Sequence, residues 1–228
     1  MNYRETRNYQ NLEKRIYEVD NKFGFPEVLP CSLTLDEPPK MLGFNYVKGE
    51  KNPEDKIVNF FLDDYQFERV WNDPNRYVPM LRRFKAVIMP DFSTYTDFPM
   101  VIQMYNHYRN LWLARYWQDC GLDVIPQSYF SADGSIDWAY EGMPRQSLLC
   151  VSTVGGILRK TAKENFPIGL KRTLQILKPR ELLIYGKLYP IVEEAIKESG
   201  FNGKVTVGRP QNFVDLEEKS MRGKIDVE

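Results

Sequence analysis

From residue 57 onward the chain alternates short apolar runs with longer amphipathic stretches. The runs occupy residues 57–62, 84–89, 122–126, 147–151, 181–185 and 204–207, each nearly continuous and in part β-branched or aromatic. Continuous rather than alternating runs suit strands buried on both faces, the condition of a parallel sheet. Leu42-Gly43-Phe44-Asn45-Tyr46 offers a seventh strand upstream. Helical periods lie between the runs. Across residues 98–119, Val101, Tyr105, Tyr108, Trp112 and Arg115 or Tyr116 recur at three- and four-residue steps, with Gly121 as the stop. Residues 164–177 carry Leu170, Leu174 and Leu177 on one side, with Pro167 in the first turn and Pro179 just beyond the end. Residues 190–199 place Val192, Ala195 and Ile196 inward and stop at Gly200.

Strand then helix, repeated, predicts an α/β fold whose parallel strands are joined by right-handed helical crossovers. Two architectures fit: repeated βα units in a compact or incomplete TIM-like barrel, or an open, mostly parallel sheet with helices on both faces. The 228 residues fall short of the length, about 250, that eight complete units usually take. Residues 1–41 read as an N-terminal arm packed on the main domain. Pro26, Pro30, Pro38 and Pro39 interrupt any regular element there, while Phe23, Phe25, Val28 and Leu29 supply apolar anchors. Residues 42–213 then form the α/β domain, and 214–228 a charged C-terminal tail.

Composition works by exclusion. With 43% hydrophobic and 14% aromatic residues the chain is neither a disordered tail nor a fibre. Its 31 Lys and Arg balance 31 acidic residues, so no overall basic coat exists for wrapping duplex DNA. No stretch approaches about eighteen uninterrupted apolar residues, and the first residues are polar, so the expectation is a cytoplasmic protein without a membrane partner. Cys31, Cys120 and Cys150 lack CxxC spacing, which argues against a disulfide framework and a zinc cluster. His107 is the single histidine, so every site needing two imidazoles is excluded, and its helical setting suits a surface or helix-packing role.

In either architecture ligands bind beyond the C-terminal ends of the strands. The strand ends deliver Asp63 and Asp64, then Asp91, then Gln127, then Ser152 and Thr153 with Gly155 and Gly156, then Lys187, and finally Arg209. Carboxylates that meet at one rim can hold a magnesium ion, or separate an acid from a base by mutual repulsion. Asp64 and Asp91 equally suit helix caps or acceptors of turn amides, although Asp91 directly follows an apolar strand and Pro90, a position that aims a side chain into the rim. Paired glycines after Ser152 and Thr153 let backbone amides approach a phosphate, although no P-loop or dinucleotide spacing is present. From residue 157 to 187, eight Lys or Arg face two acids, a local surplus suited to a phosphate-bearing ligand. Gln127, Ser152, Thr153, Gly155, Gly156, Lys187 and Arg209 are therefore the candidate ligand-binding set, with Asp91, Asp63 and Asp64 the candidate catalytic set. Aromatics near the rim, among them Tyr65, Tyr95 and Tyr129, can stack on bases or glue loops down.

Three segments carry a family likeness: Asn59-Phe60-Phe61-Leu62-Asp63-Asp64-Tyr65, Pro90-Asp91-Phe92-Ser93-Thr94-Tyr95, and Arg109-Asn110-Leu111-Trp112-Leu113-Ala114-Arg115-Tyr116-Trp117. Together they resemble an uncharacterised domain-of-unknown-function family of bacterial phages and mobile elements, with Val124-Ile125-Pro126-Gln127 and Val154-Gly155-Gly156 in keeping. The resemblance implies a setting, not a mechanism. Two functions remain open. One is an α/β enzyme acting on a nucleotide or nucleic-acid component through the carboxylates and the Gly-rich loop. The other is a non-catalytic factor that binds nucleic acid or a host protein, in a replication or anti-defence role.

Overall fold

A computed structural model describes residues 9–128, 137–154 and 160–210, without the side chains of residues 137, 160–163 and 209. Gly155, Gly156 and the 214–228 tail lie outside the described residues. The strands are β1 (Lys40–Gly43), β2 (Lys56–Asn59), β3 (Ala86–Ile88), β4 (Val124–Ile125), β5 (Leu148–Ser152), β6 (Glu181–Tyr185) and β7 (Lys204–Pro210). The α-helices are α1 (Glu68–Asn72), α2 (Pro74–Leu81), α3 (Met100–Asp119), α4 (Lys160–Leu177) and α5 (Pro190–Glu198). Every strand pair is parallel, in the order β4-β3-β2-β1-β7-β6-β5. The strand expected around residues 42–46 instead starts at Lys40 and ends at Gly43. Phe44 leaves the ladder for a 3-10 turn and stacks on Phe60 at 5.0 Å. Pro167 falls inside α4 and not in its first turn, because the helix begins at Lys160.

The sheet is open in its ladders, with β4 and β5 as edge strands, and so is not a closed TIM-like barrel. Its edges nevertheless approach. Gln127, just past β4, forms one isolated parallel bridge with Cys150 of β5. The Cys150 amide donates to the Pro126 carbonyl (2.8 Å) and the Ser128 amide to the Cys150 carbonyl (3.1 Å). A full ladder cannot form there: β4 has two residues, and Pro126 has no N–H to give.

The period of two in each strand sorts side chains into two cores. The larger takes Val58, Val87, Leu149, Leu182 and Ile184 from the sheet with the buried faces of all five helices. The smaller takes Met41, Ile57, Ala86, Ile88, Ile125, Leu148, Cys150 and Leu183, and no helix contributes to it. Cys31 and Leu35 of the segment before β1 complete it, with Leu35 fully buried. That segment is tied down through its backbone: the Cys31 amide donates to Ser147 Oγ (2.9 Å), Arg180 donates to the Cys31 carbonyl (3.2 Å), and Lys204 Nζ donates to the Leu35 carbonyl. Among the described residues no helix is long and apolar enough to cross a membrane.

Candidate active site at the strand ends

On the helix-free face the inward positions change character toward the strand ends. Ile57 is followed two residues on by Asn59, Ile125 by Gln127, Cys150 by Ser152 and Leu183 by Tyr185. Asn59 and Gln127 are buried, while Ser152 and Tyr185 are half-buried. A polar layer thus caps an apolar one, and Asp91, three residues past β3, joins it.

Gln127 Nε2 donates to Asp91 Oδ1 at 2.8 Å and also reaches the Pro90 carbonyl at 3.3 Å. Burial pushes the Asp91 carboxyl up to about 7; the Gln127 hydrogen bond works against this rise, and the nearby Asp64 charge adds to it. A carboxyl poised near neutrality can accept or give a proton at physiological pH. Burial, with the Asp91 charge beside it, raises the Cys150 thiol well above its ordinary range. Cys150 is therefore held as an unreactive thiol. On the same face of the sheet, Asn59 is 1% exposed. Its Oδ1 accepts from the Phe61 amide (3.3 Å), and its Nδ2 has no hydrogen-bond partner among the described residues. Phe61 and Tyr185 lie against each other with ring centroids 4.7 Å apart, packed on the smaller core.

The loop that carries Asp91 is held from behind by α3. Asn110 accepts from the Phe92 amide through Oδ1 (2.8 Å) and donates to the Phe92 carbonyl through Nδ2 (3.2 Å). Asn106 Nδ2 donates to the Ser93 carbonyl (2.5 Å), and Asn106 Oδ1 accepts from Arg109 (2.7 Å). Arg109 pairs with Glu68 at 2.8 Å and lies 3.7 Å over the Phe92 ring. Ser93 in turn donates to Asp64 from its amide (3.1 Å) and its hydroxyl (2.9 Å). Asp64 is committed to this loop, as its capping chemistry allows.

Of the expected site residues, Asp91 and Gln127 are brought together by their hydrogen bond, while Ser152 lies on the same face of β5 as Cys150 and its Oγ accepts from the Val154 amide (3.2 Å). Asp63 is exposed and engages Gln66 in its own 3-10 turn. Among the described residues no group of three or more His, Cys, Asp or Glu side chains is placed to hold a metal ion. Thr153 is buried, and its hydroxyl lies within hydrogen-bond reach of the Tyr185 (3.2 Å) and Lys187 (3.0 Å) carbonyls, which ties β5 to β6. Lys187 is exposed, its Nζ 5.5 Å from the Tyr189 ring centroid. Gly155, Gly156 and the Arg209 side chain lie outside the described residues. Part of the basic surplus has structural work: Lys171 pairs with Glu198 at 2.8 Å, and Arg180 holds the Cys31 carbonyl. Asn59 was not among the expected residues; an amide inside a continuous apolar run is the signal that marks it.

His107 packs fully buried between Phe25 and Trp138, its Nε2 2.9 Å from the Glu141 carbonyl; burial pushes its pKa down to about 4, so the ring is neutral. A separate cavity of 520 Å³ opens between Val28, Leu29, Gly142, Arg145 and Leu177, and none of the strand-end residues lines it.

Over residues 17–201 the sequence matches the family described as "Domain of unknown function (DUF4417)". Two phage proteins are similar to it. The "Gene 1 protein" of Mycobacterium phage L5 is 36% identical over 131 residues, which cover 58% of this chain and 57% of that protein. The "Gene 1 protein" of Mycobacterium phage D29 is also 36% identical over 131 residues, covering 58% of this chain and 48% of that one. The chain therefore spans about half the length of the curated relatives it matches. No solved structure matches it.

Proposed function

The chain belongs to the DUF4417 family, and from that premise we propose that it is an α/β enzyme acting on a nucleotide or nucleic-acid component, with Asp91 as its general acid or base. The observation that carries the reading is the Asp91 carboxyl, brought near neutrality by burial at the strand ends and oriented by Gln127. Ligands of parallel-sheet proteins bind at that end. The Phe61–Tyr185 pair beside it supplies a stacking surface suited to a base. A phage setting rests on the two mycobacteriophage relatives.

The test is to incubate the purified full chain with pooled nucleosides, nucleotides and short oligonucleotides and to follow each by mass spectrometry. The expected result is consumption of one component at a rate that Asp91→Asn lowers at least about a hundredfold, the usual contribution of a positioned acid or base. Equal turnover by wild type and variant overturns the role of Asp91. The second reading, a non-catalytic factor that grips nucleic acid or a host protein, is favoured by exposed Tyr65, Tyr95, Met100, Val101 and Ile102. It predicts no turnover in the same assay.

A further inference from the structure

The two oxygens of the Asp91 carboxyl are not equivalent. Oδ1 accepts from Gln127 Nε2 at 2.8 Å, whereas Oδ2 has no hydrogen-bond partner among the described residues. In a neutral carboxyl the carbonyl oxygen is the better acceptor, so Gln127 assigns the carbonyl to Oδ1 and the proton to Oδ2. Gln127 is itself fixed: the same Nε2 reaches the Pro90 carbonyl at 3.3 Å, and its backbone is bridged to Cys150 of β5.

A second carboxylate is anchored to the same loop. Asp64 takes the Ser93 amide on both oxygens (3.1 Å each) and the Ser93 hydroxyl on Oδ1 (2.9 Å), and Ser93 lies two residues beyond Asp91. Asn106 holds the Ser93 carbonyl, so Ser93 is gripped from both sides. The Asp64 charge disfavours ionisation of Asp91, and the Gln127 donor favours it. The other titratable groups around this site bring no net charge. Burial keeps Cys150 of β5 and, beside it, Tyr185 of β6 protonated, and Arg109, behind Phe92, is paired with Glu68.

We propose that Asp91 enters the reaction as a general acid that gives its proton from Oδ2, with Gln127 and Asp64 as positioning residues: Gln127 selects the atom, and Asp64 keeps the proton on it. This rests on the enzyme reading of the Asp91 site and narrows acid or base to acid. In the step the Oδ2–H bond breaks, its electron pair stays on Asp91, and the proton passes to a lone pair on the substrate's leaving oxygen or nitrogen. The Gln127 hydrogen bond strengthens as the carboxylate forms, because an ionised acceptor is the stronger one. The Asp64 charge opposes that carboxylate, and a proton taken from water restores the acid.

The experiment follows the Asp91 carboxyl by ¹³C NMR against pH in the full chain, in Asp64→Asn and in Gln127→Met. It also takes the pH profile of kcat/KM for whichever component the protein consumes from pooled nucleosides, nucleotides and short oligonucleotides. Asp64→Asn keeps an oxygen for Ser93 and removes the charge. The expected result is a pair of opposite shifts, the Asp91 midpoint falling by about 0.5 or more in Asp64→Asn and rising in Gln127→Met. With them, kcat/KM declines as pH rises through the Asp91 midpoint, and the decline follows the midpoint in each variant, which a merely structural role does not produce. If Gln127→Met does not fold, Asp64→Asn decides. A midpoint unmoved in Asp64→Asn overturns the proposal. So does a kcat/KM that increases through that pH, which makes Asp91 a base and leaves the enzyme reading standing. No turnover of any component removes the enzyme reading and the proposal together.

Discussion

At the residue scale two groups, the half-buried Asp91 carboxyl and the buried His107 ring, shape the pH dependence of stability in opposite senses. Asp91 is raised to about 7 in the folded chain against an ordinary 3.8, so the native state holds its proton where the unfolded state has lost it. Its contribution to stability is complete below about 4 and is lost as pH rises toward and through 7. His107 acts in the opposite sense: its folded value near 4 sits below the ordinary 6.5, so the unfolded chain takes up a proton first and stability falls on acidification through that window. Asp91→Asn removes the first term and leaves the second in place. The melting temperature of Asp91→Asn relative to wild type is therefore expected to rise between pH 4 and pH 8, read by calorimetry across that range. A difference that stays flat with pH contradicts a raised Asp91. The residue itself stands out in sequence because it follows an apolar run and a proline. Its partner Gln127 is 36 positions away, and the pairing depends on the β3–β4 register, which no local pattern encodes.

Helix α3 acts at the element scale as the backing plate of the site. Asn110 pairs with both backbone groups of Phe92, and Asn106 and Arg109 brace Ser93 and Glu68. Asn110→Ala leaves a buried amide and carbonyl unpaired, a loss of roughly 3 kcal/mol in urea unfolding. Amide exchange at Ser93 is expected to quicken at the same time. An unchanged midpoint with normal exchange refutes the backing role. The same helix shows where pattern reading succeeds and fails. Of the expected stripe only Trp112 is fully buried, whereas Val101 is exposed and Tyr105, Tyr108 and Tyr116 are half-buried; the polar Asn106, Arg109 and Asn110 are buried instead, because they hold the loop that follows β3. Helices α1 and α2 escape the periodic reading because Asn72, Asp73, Pro74 and Pro79 break the 3.6 repeat within a few residues. All seven strands fall on or beside the expected runs because burial on both faces demands continuous apolar sequence.

One face of the whole molecule's sheet is covered by helices, and the other is closed by the curl of the sheet and by the segment before β1. Leu35 sits at the centre of that closure. Leu35→Ala is expected to cost about 2–5 kcal/mol, the range for a truncated core leucine, with a matching fall in the urea midpoint. A near-neutral change means the segment only lies on the surface. The choice between a barrel and an open sheet is invisible in the runs themselves. It turns on the two-residue length of β4 and on Pro126, which limit the edge contact to the bridge at Gln127 and Cys150. With one end of the curled sheet plugged by apolar side chains, its polar groups gather at the other, and the functional reading depends on that asymmetry. The direct test is a ¹³C NMR titration of the aspartate side chains, with Asp91 assigned by its absence from Asp91→Asn. The expected spectrum has one carboxyl that titrates near 7 and disappears in the variant. A full set of carboxyls that all titrate near 4 contradicts it.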